Sequence, residues 1–163
     1  MPKDLFKEML KPLKIRAANA EDQSAVVDLW RACGLVASYN DPAADFAFAK
    51  AGACSDVLVG EDDGVIRASV MVGHDGHRGW LYYVASDPHS RGAGFGRQIV
   101  EAAENWLQQR GVAKVQLLVR ETNTNVVAFY ENLGFEVTPR VVLAKWLGNA
   151  RNESIHPRCG DQP

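Results

Sequence analysis

The sequence predicts a single α/β domain in which helices cover both faces of a mixed β-sheet. A hairpin signal, Asp62-Asp63-Gly64, separates two runs of β-forming residues, and such hairpin strands pair antiparallel. Further along, an aromatic-rich strand, Trp80–Ala85, is followed by a long amphipathic stretch and then by a second strand. A β-α-β unit of this kind pairs its two strands in parallel, so the predicted sheet contains both kinds of pairing.

The first half of the chain contains a short strand, two helices and three more strands. Asn19 is a capping residue placed before apolar residues at helical spacing, and Gly34 ends that helix. Pro42 is well placed at the first position of a second helix. The strands are runs of apolar and β-branched residues between turn signals; they are Lys14–Ala17, Asp56–Gly60, Val65–Val72 and Trp80–Ala85.

In the second half, helices alternate with strands. A helix from Gly94 to Arg110 carries apolar residues on one face and ends at Gly111, and another from Thr124 to Leu133 ends at Gly134. The remaining apolar runs predict strands at Lys114–Val119, Phe135–Val137 and Val141–Trp146. The predicted order is therefore β-α-α-β-β-β-α-β-α-β-β.

Length and charge narrow the possible functions. The chain has 163 residues, a net charge of −2 and no block of Lys and Arg, which argues against binding to nucleic acid. It contains no apolar run of 18 residues and no signal peptide, so no membrane association is expected. Cys33, Cys54 and Cys159 are too widely spaced for a metal site and are interpreted as reduced thiols of a cytoplasmic protein.

The expected organisation has three parts. Residues 1–13 form an N-terminal extension, residues 14–147 form the domain, and residues 148–163 form a polar, loose tail without periodicity.

The most informative segment is a glycine-rich loop, Asp87 to Arg97, between a strand and the long helix. Glycines permit a ligand to approach the backbone, and the unpaired amides at a helix start favour an anion such as a pyrophosphate. The spacing of the glycines differs from the dinucleotide fingerprint, and no Gly-Lys-Ser/Thr follows as in a P-loop. From the glycines alone, a merely flexible loop is an equal alternative.

Two motifs resemble those of the GCN5-related N-acetyltransferases. Arg91-x-x-Gly94-x-Gly96, after a strand that ends at Asp87-Pro88, resembles the family's pyrophosphate-binding motif. The segment from Asn123 to Phe135 is similar to the family's N-x-x-A-x-x-x-Y-x-x-x-G-F pattern, with Val126 in place of the usual alanine. The resemblance covers Ile15 to Leu147 and implies the mixed-sheet fold of that family.

A closer likeness is to a small bacterial subgroup of uncertain substrate, distantly akin to the ribosomal-protein alanine acetyltransferases. It rests on the stretch Trp30 to Leu35, on Asn40-Asp41-Pro42 and on the turn Gly73 to Gly79.

The resemblance implies that the chain binds acetyl-CoA and transfers its acetyl group directly to a primary amine. It also implies that the strand ending at Ser86 separates from the strand Lys114–Val119 and leaves a gap for the pantetheine arm. The implied cofactor-binding residues are Val84, Ala85, Ser86, Arg91, Gly92, Ala93, Gly94, Phe95, Gly96, Arg97, Asn123 and Tyr130.

By the same resemblance, Tyr130 is the general acid that protonates the departing sulfur. Its residue type alone favours a packing role, and its register with Asn123 and Gly134-Phe135 favours the acid. The general base is open, because Leu118 occupies the position at which the alanine acetyltransferases carry a Glu. Candidates from the turn before the central strand are Asp75, His77 and His74, and ordered water is a further alternative. The turn Asn40-Asp41-Pro42 and Trp30 are candidates for the wall of an acceptor pocket.

Three alternatives to this reading stay open. One is a non-catalytic acyl-CoA sensor on the same fold. Another is a protein-interaction domain with a vestigial pocket, and a third is an acetyltransferase for peptide α-amines of ribosomal proteins. The acceptor amine cannot be read from the sequence. A homodimer is expected, because the aromatic-rich final strands offer an exposed edge.

Overall fold

The computed structural model describes residues 10–147, which form a five-stranded mixed sheet with helices on both faces. The strands lie in the order in which they occur along the chain. They are β1 Lys14–Ala17, β2 Ser55–Asp62, β3 Val65–His74, β4 Gly79–Ser86 and β5 Val115–Gln116. The first four pair antiparallel and β5 pairs parallel to β4, as the β-α-β pattern predicts.

Four α-helices and two short 3₁₀ turns connect the strands. The helices are α1 Gln23–Ala32, α2 Pro42–Ala51, α3 Phe95–Gln108 and α4 Thr124–Asn132. The 3₁₀ turn Ala20–Asp22 precedes α1, and its cap is a capping box in which the side chains of Asn19 and Asp22 each accept a backbone N–H of the other end. The second 3₁₀ turn, Pro88–Ser90, leads into the glycine-rich loop.

The sheet separates two hydrophobic cores, because successive side chains of a strand point to opposite faces. On β2, Leu58 faces the core beneath α3, whereas Val57 and Val59 face the core beneath α1 and α2. The α3 core includes Ile99 and Leu107. The other core is built around Trp30, which is fully buried and donates its indole N–H to Ser69 Oγ at 3.0 Å. Trp30 is therefore a core residue, not part of an open pocket wall.

Two predictions about the second half of the chain are wrong. The strand predicted over Lys114–Val119 is reduced to Val115–Gln116, and the segments Phe135–Val137 and Val141–Trp146 form no strand. Apolar, β-branched residues form a strand only where a neighbouring backbone supplies hydrogen bonds. The described sheet contains no strand within Phe135–Val137 or Val141–Trp146. The tail predicted for residues 148–163 and most of the extension predicted for residues 1–13 lie outside the described residues.

Candidate functional site

The candidate site lies at the point beyond which β4 and β5 are no longer paired. Their pairing consists of two residue pairs, Gly79 with Val115 and Trp80 with Gln116, at the beginning of β4. Beyond Trp80 no backbone hydrogen bond joins β4 to residues 117–122 within the described part of the chain. The remaining six residues of β4, up to Ser86, thus border a gap, as expected from the family resemblance.

A β-bulge deforms β4 beside this gap. Ser69 and Met71 of β3 oppose Ala85 and Tyr82 of β4, so β4 carries one extra residue between these pairs. Tyr83 lies there with φ of +50°, a left-handed conformation that is uncommon for a residue with a side chain. Backbone strain of this kind persists only where surrounding contacts enforce it.

Side chains of α1 and α2 supply those contacts. The ring of Tyr83 stacks on Trp30, with the ring centroids 4.0 Å apart. Its hydroxyl donates a hydrogen bond of 2.8 Å to Asp45 Oδ2 on α2. Tyr83 is thereby held at its ring and at its hydroxyl, and the half-buried carboxylate of Asp45 is placed next to the bulge. Sequence reasoning did not identify Asp45 or Tyr83, because neither belongs to a motif and a bulge leaves no clear sequence signal.

The glycine-rich loop begins at the other end of β4 and is anchored by Asp87. This buried carboxylate accepts hydrogen bonds from the backbone N–H of His89 and from the hydroxyl of Ser90, and it forms an ion pair with Arg67 of β3 at 2.6 Å. The hydrogen bond from His89, aided by the Arg67 guanidinium, lowers the pKa of Asp87 below its usual value. The loop is therefore tied to the sheet.

Four backbone amides open the helix after this loop, namely those of Gly94, Phe95, Gly96 and Arg97. None of them donates to an acceptor in the described residues, and no side chain caps the helix. Gly92 and Gly94 have φ of +82° and +75°. A Cβ built on Gly92 would meet no atom within 4 Å, whereas one built on Gly94 would lie 2.7 Å from Cδ2 of Leu10, so the open space lies beside Gly92. Free amides, open space and the positive end of a helix dipole suit an anion, with the exposed Arg91 and Arg97 alongside.

Gly96 is needed for a different reason. A Cβ at this position would lie 3.2 Å from Cζ of Phe129 on α4 and 3.8 Å from Oγ of Ser86. The absent side chain lets α4 and the end of β4 approach the first turn of α3. Three of the predicted regions, at Ser86, Gly96 and α4, are thus brought together.

Tyr130 follows Phe129 on α4 and packs between aromatic rings. Its ring makes edge contacts with Phe129 and Phe135, with centroids 5.0 Å and 5.5 Å apart, and it packs against the core beneath α3. Burial raises the pKa of Tyr130 to about 12. Its hydroxyl has no hydrogen-bond partner in the described residues, and at neutral pH it is a proton donor rather than a base.

Asn123 precedes α4 at the N-cap position. Its backbone N–H bonds to the carbonyl of Arg120 at 2.8 Å, while its exposed side chain caps no amide of the helix. The amide side chain is therefore available to an external partner.

The structure does not bring Asp75 and His77 to this region. Both are exposed in the turn between β3 and β4, which is the end of β4 opposite to Ser86 and the glycine-rich loop. Asp75 accepts hydrogen bonds from the backbone N–H groups of Arg78 and His77 and from the indole of Trp80, and these bonds lower its pKa to about 2. So weak a base is poorly suited to take a proton from an amine. His74 ends β3 beside the same turn, and Leu118 is exposed.

Asp41, in the turn considered for the wall of an acceptor pocket, serves as a helix cap. Its Oδ1 accepts the backbone N–H of Ala44 at 3.0 Å at the start of α2. Within residues 10–147, no group of three or more His, Cys, Asp or Glu side chains is arranged to hold a metal ion. No helix in the same range is long and apolar enough to span a membrane.

Comparisons with known proteins identify a family and relatives of this chain. The sequence matches the acetyltransferase (GNAT) family over residues 20–135. It is 39% identical over 136 residues to an acetyltransferase of Pectobacterium atrosepticum, covering 83% of this chain and 96% of that protein.

Two solved structures share the fold. One is AAC(6')-Iy in complex with the bisubstrate analogue CoA-S-monomethyl-acetylneamine, with a TM-score of 0.72, 19% identity and coverage of 84% of this chain and 99% of that one. The other is a predicted acetyltransferase from Clostridium acetobutylicum with acetyl-CoA, with a TM-score of 0.67, 18% identity and coverage of 82% of this chain and 96% of that one. With a family match over most of the domain and a relative of this identity, the chain belongs to the GNAT family of acetyltransferases.

Proposed function

We propose that this acetyltransferase takes the acetyl group from acetyl-CoA and transfers it directly to a primary amine. The observation that carries the proposal is the set of unpartnered amides at Gly94–Arg97, placed next to a gap between β4 and β5. A pyrophosphate fits the amides, and an extended pantetheine arm fits the free backbone of β4 as an added strand would. We propose that the uncapped side chain of Asn123 contacts that arm.

Tyr130 is the proposed general acid. As the amine nitrogen bonds to the acetyl carbon, the carbon–sulfur bond breaks and the sulfur gains the proton that Tyr130 donates. The raised pKa of Tyr130 keeps that proton in place at neutral pH. The ionised tyrosine then recovers a proton from solvent.

The cationic amine must lose one proton before it attacks and a second one as the amide forms, and we propose that water accepts both. Leu118 offers no base, and Asp75 and His77 lie at the far end of β4. Asp45 is a carboxylate that the structure holds against the bulge, on the sheet face opposite to Tyr130. We propose that its negative charge attracts the cationic amine on that face.

A turnover screen tests the function. Acetyl-CoA is incubated with the protein and with representatives of four acceptor classes: small polyamines, amino acids, peptide α-amines and protein lysines. Release of free thiol is followed. Amine-dependent release supports the proposal. Tight binding of coenzyme A without turnover on any class would favour the acyl-CoA sensor, and no binding of coenzyme A would refute both.

A further inference from the structure

The chain that precedes β1 runs across the start of α3. We call residues 10–13 the N-terminal strap. Its last residue, Leu13, is buried in the core beneath α3 and lies against β2, where a Cβ built on Gly60 would come within 2.7 Å of Cδ1 of Leu13. Lys11 forms an ion pair with Asp62, next to the hairpin turn, at 2.7 Å. Because β1 begins at the end of the sheet at which β4 ends, the strap reaches the glycine-rich loop.

The side chain of Gln98 ties the N-terminal strap to α3. Its Oε1 accepts the backbone N–H of Leu13 at 2.8 Å, and its Nε2 donates to the backbone carbonyl of Lys11 at 3.0 Å. Gln98 itself lies near the start of α3, where its backbone N–H bonds to the carbonyl of Gly94 at 3.1 Å. One side chain therefore joins the strap to the helical turn that begins at Gly94.

Leu10 makes the direct contact between the strap and the glycine-rich loop. A Cβ built on Gly94 would lie 2.7 Å from Cδ2 and 3.0 Å from Cδ1 of Leu10. The leucine side chain thus fills the space that a side chain on Gly94 would need. Gly92 has no such neighbour within 4 Å. The strap therefore covers the loop at Gly94 and leaves it open at Gly92.

We propose that the N-terminal strap positions the glycine-rich loop for the pyrophosphate of acetyl-CoA, with Leu10 and Gln98 as the positioning residues. This inference rests on the proposed function and deepens it. Three of the five residues from 92 to 96 are glycines, whose backbone is conformationally free unless contacts hold it. A loop that is held in one arrangement before the ligand arrives binds it at a lower entropic cost.

Neither positioning residue offers the phosphates a polar group of its own. Leu10 is apolar, and the amide of Gln98 donates and accepts within the strap. Their effect on the cofactor must therefore pass through the backbone of the loop. By covering Gly94, Leu10 also directs the phosphates to the open side of the loop, at Gly92.

Calorimetry with coenzyme A on the full-length protein tests the proposal. Leu10→Ala and Gln98→Ala should each weaken binding roughly tenfold, because the loop must then be ordered as the ligand binds. The KM for acetyl-CoA should rise by a similar factor, whereas kcat at saturating acetyl-CoA should change less than about twofold. Leu10→Met should restore the affinity, because methionine has a similar volume and adapts to the same space.

Val112→Ala is the matched control. Val112 is also half-buried and packs against the core beneath α3, but it lies beyond the other end of that helix. Its truncation should lower the melting temperature and leave the affinity for coenzyme A unchanged. Hydrogen exchange of the free protein provides a readout that needs no ligand: the Gln98 amide, bonded to the Gly94 carbonyl, should exchange faster in Leu10→Ala than in wild type and Val112→Ala.

The outcomes separate this inference from the proposed function. Wild-type affinity in both Leu10→Ala and Gln98→Ala would overturn the role of the strap and leave the binding of acetyl-CoA intact. A wild-type protein that does not bind coenzyme A would overturn both. If Val112→Ala loses as much affinity as Leu10→Ala, the loss follows the stability of the fold, and the strap has no positioning role.

Discussion

Replacing Tyr130 by Phe removes one hydroxyl group and leaves the aromatic packing in place. The ring contacts of Tyr130 with Phe129 and Phe135 do not involve the hydroxyl, and that oxygen has no partner in the described residues. Tyr130→Phe therefore leaves no protein donor or acceptor unsatisfied. We expect the variant to be at least as stable as the wild type, since it no longer holds an unpaired hydroxyl in a half-buried position.

The expected effect on turnover is large. A positioned general acid contributes about 10²–10⁴-fold to a rate, which corresponds to about 2.7–5.5 kcal/mol of transition-state stabilisation. The aromatic surroundings of Tyr130 make the upper half of that range the expected one, because charge on the departing sulfur is poorly screened there. Affinity for acetyl-CoA should change less than about threefold, since the interaction forms mainly in the transition state.

Four measurements check this prediction. Thiol release with an accepted amine gives kcat and KM, and calorimetry with coenzyme A gives the affinity. Donors with more acidic thiols should narrow the difference between Tyr130→Phe and wild type, because a better leaving group needs less protonation. The wild-type rate should also show no loss attributable to ionisation of Tyr130 below pH 10, because its pKa is about 12. An unchanged kcat in Tyr130→Phe would refute the assignment.

Three further predictions concern the loop and the bulge. Gly92→Asp should weaken the binding of coenzyme A at least tenfold at low salt and less at high salt, because its negative charge repels the anion. Gly92→Asn, whose side chain also tolerates a left-handed backbone, should bind coenzyme A nearly as the wild type does. Equal affinities of the two variants in calorimetry would exclude an anion at this loop. Asp45→Asn should raise KM for a cationic amine several-fold without altering the affinity for coenzyme A. A neutral hydroxylamine-type acceptor should not show this rise in KM. If the wild type and Asp45→Asn have equal KM values for the cationic amine, Asp45 does not belong to the acceptor site. Folding lowers the pKa of Asp87, so the contribution of its carboxylate to stability is present above the pKa of the unfolded side chain, near 4, and is lost as the pH falls below that value. Asp87→Asn should therefore reduce the melting temperature at pH 7 and flatten the fall of the melting temperature toward acid pH. Identical pH profiles of the melting temperature in the two proteins would contradict this.

Much of the fold follows from local patterns in the sequence. The hairpin at Asp62-Asp63-Gly64, the helix that begins after Gly94 and the parallel β-α-β unit depend on turn chemistry, periodicity and connection length, all of which act over short distances along the chain. The glycine-rich loop and the segment from Asn123 to Phe135 can likewise be recognised from the sequence, because each is a continuous motif.

Features that depend on distant residues were decided by the tertiary structure. Tyr83 adopts a left-handed backbone because Trp30 and Asp45, on two helices of another part of the chain, hold its ring and its hydroxyl. The turn that contains His77 was a reasonable source of a base by residue type, but the direction of β4 places it at the far end of the sheet.

The same distinction explains the final apolar segments. Their composition is typical of strands, yet a strand needs a neighbouring backbone, and the sheet of a single chain provides none beside Val141–Leu143. Sequence by itself determined which segments can form helices, hairpins and an anion-binding loop, because those choices are made by adjacent residues. Only the tertiary structure decided where the bulge and the carboxylate of Asp45 lie, because each is placed by contacts between residues far apart along the chain.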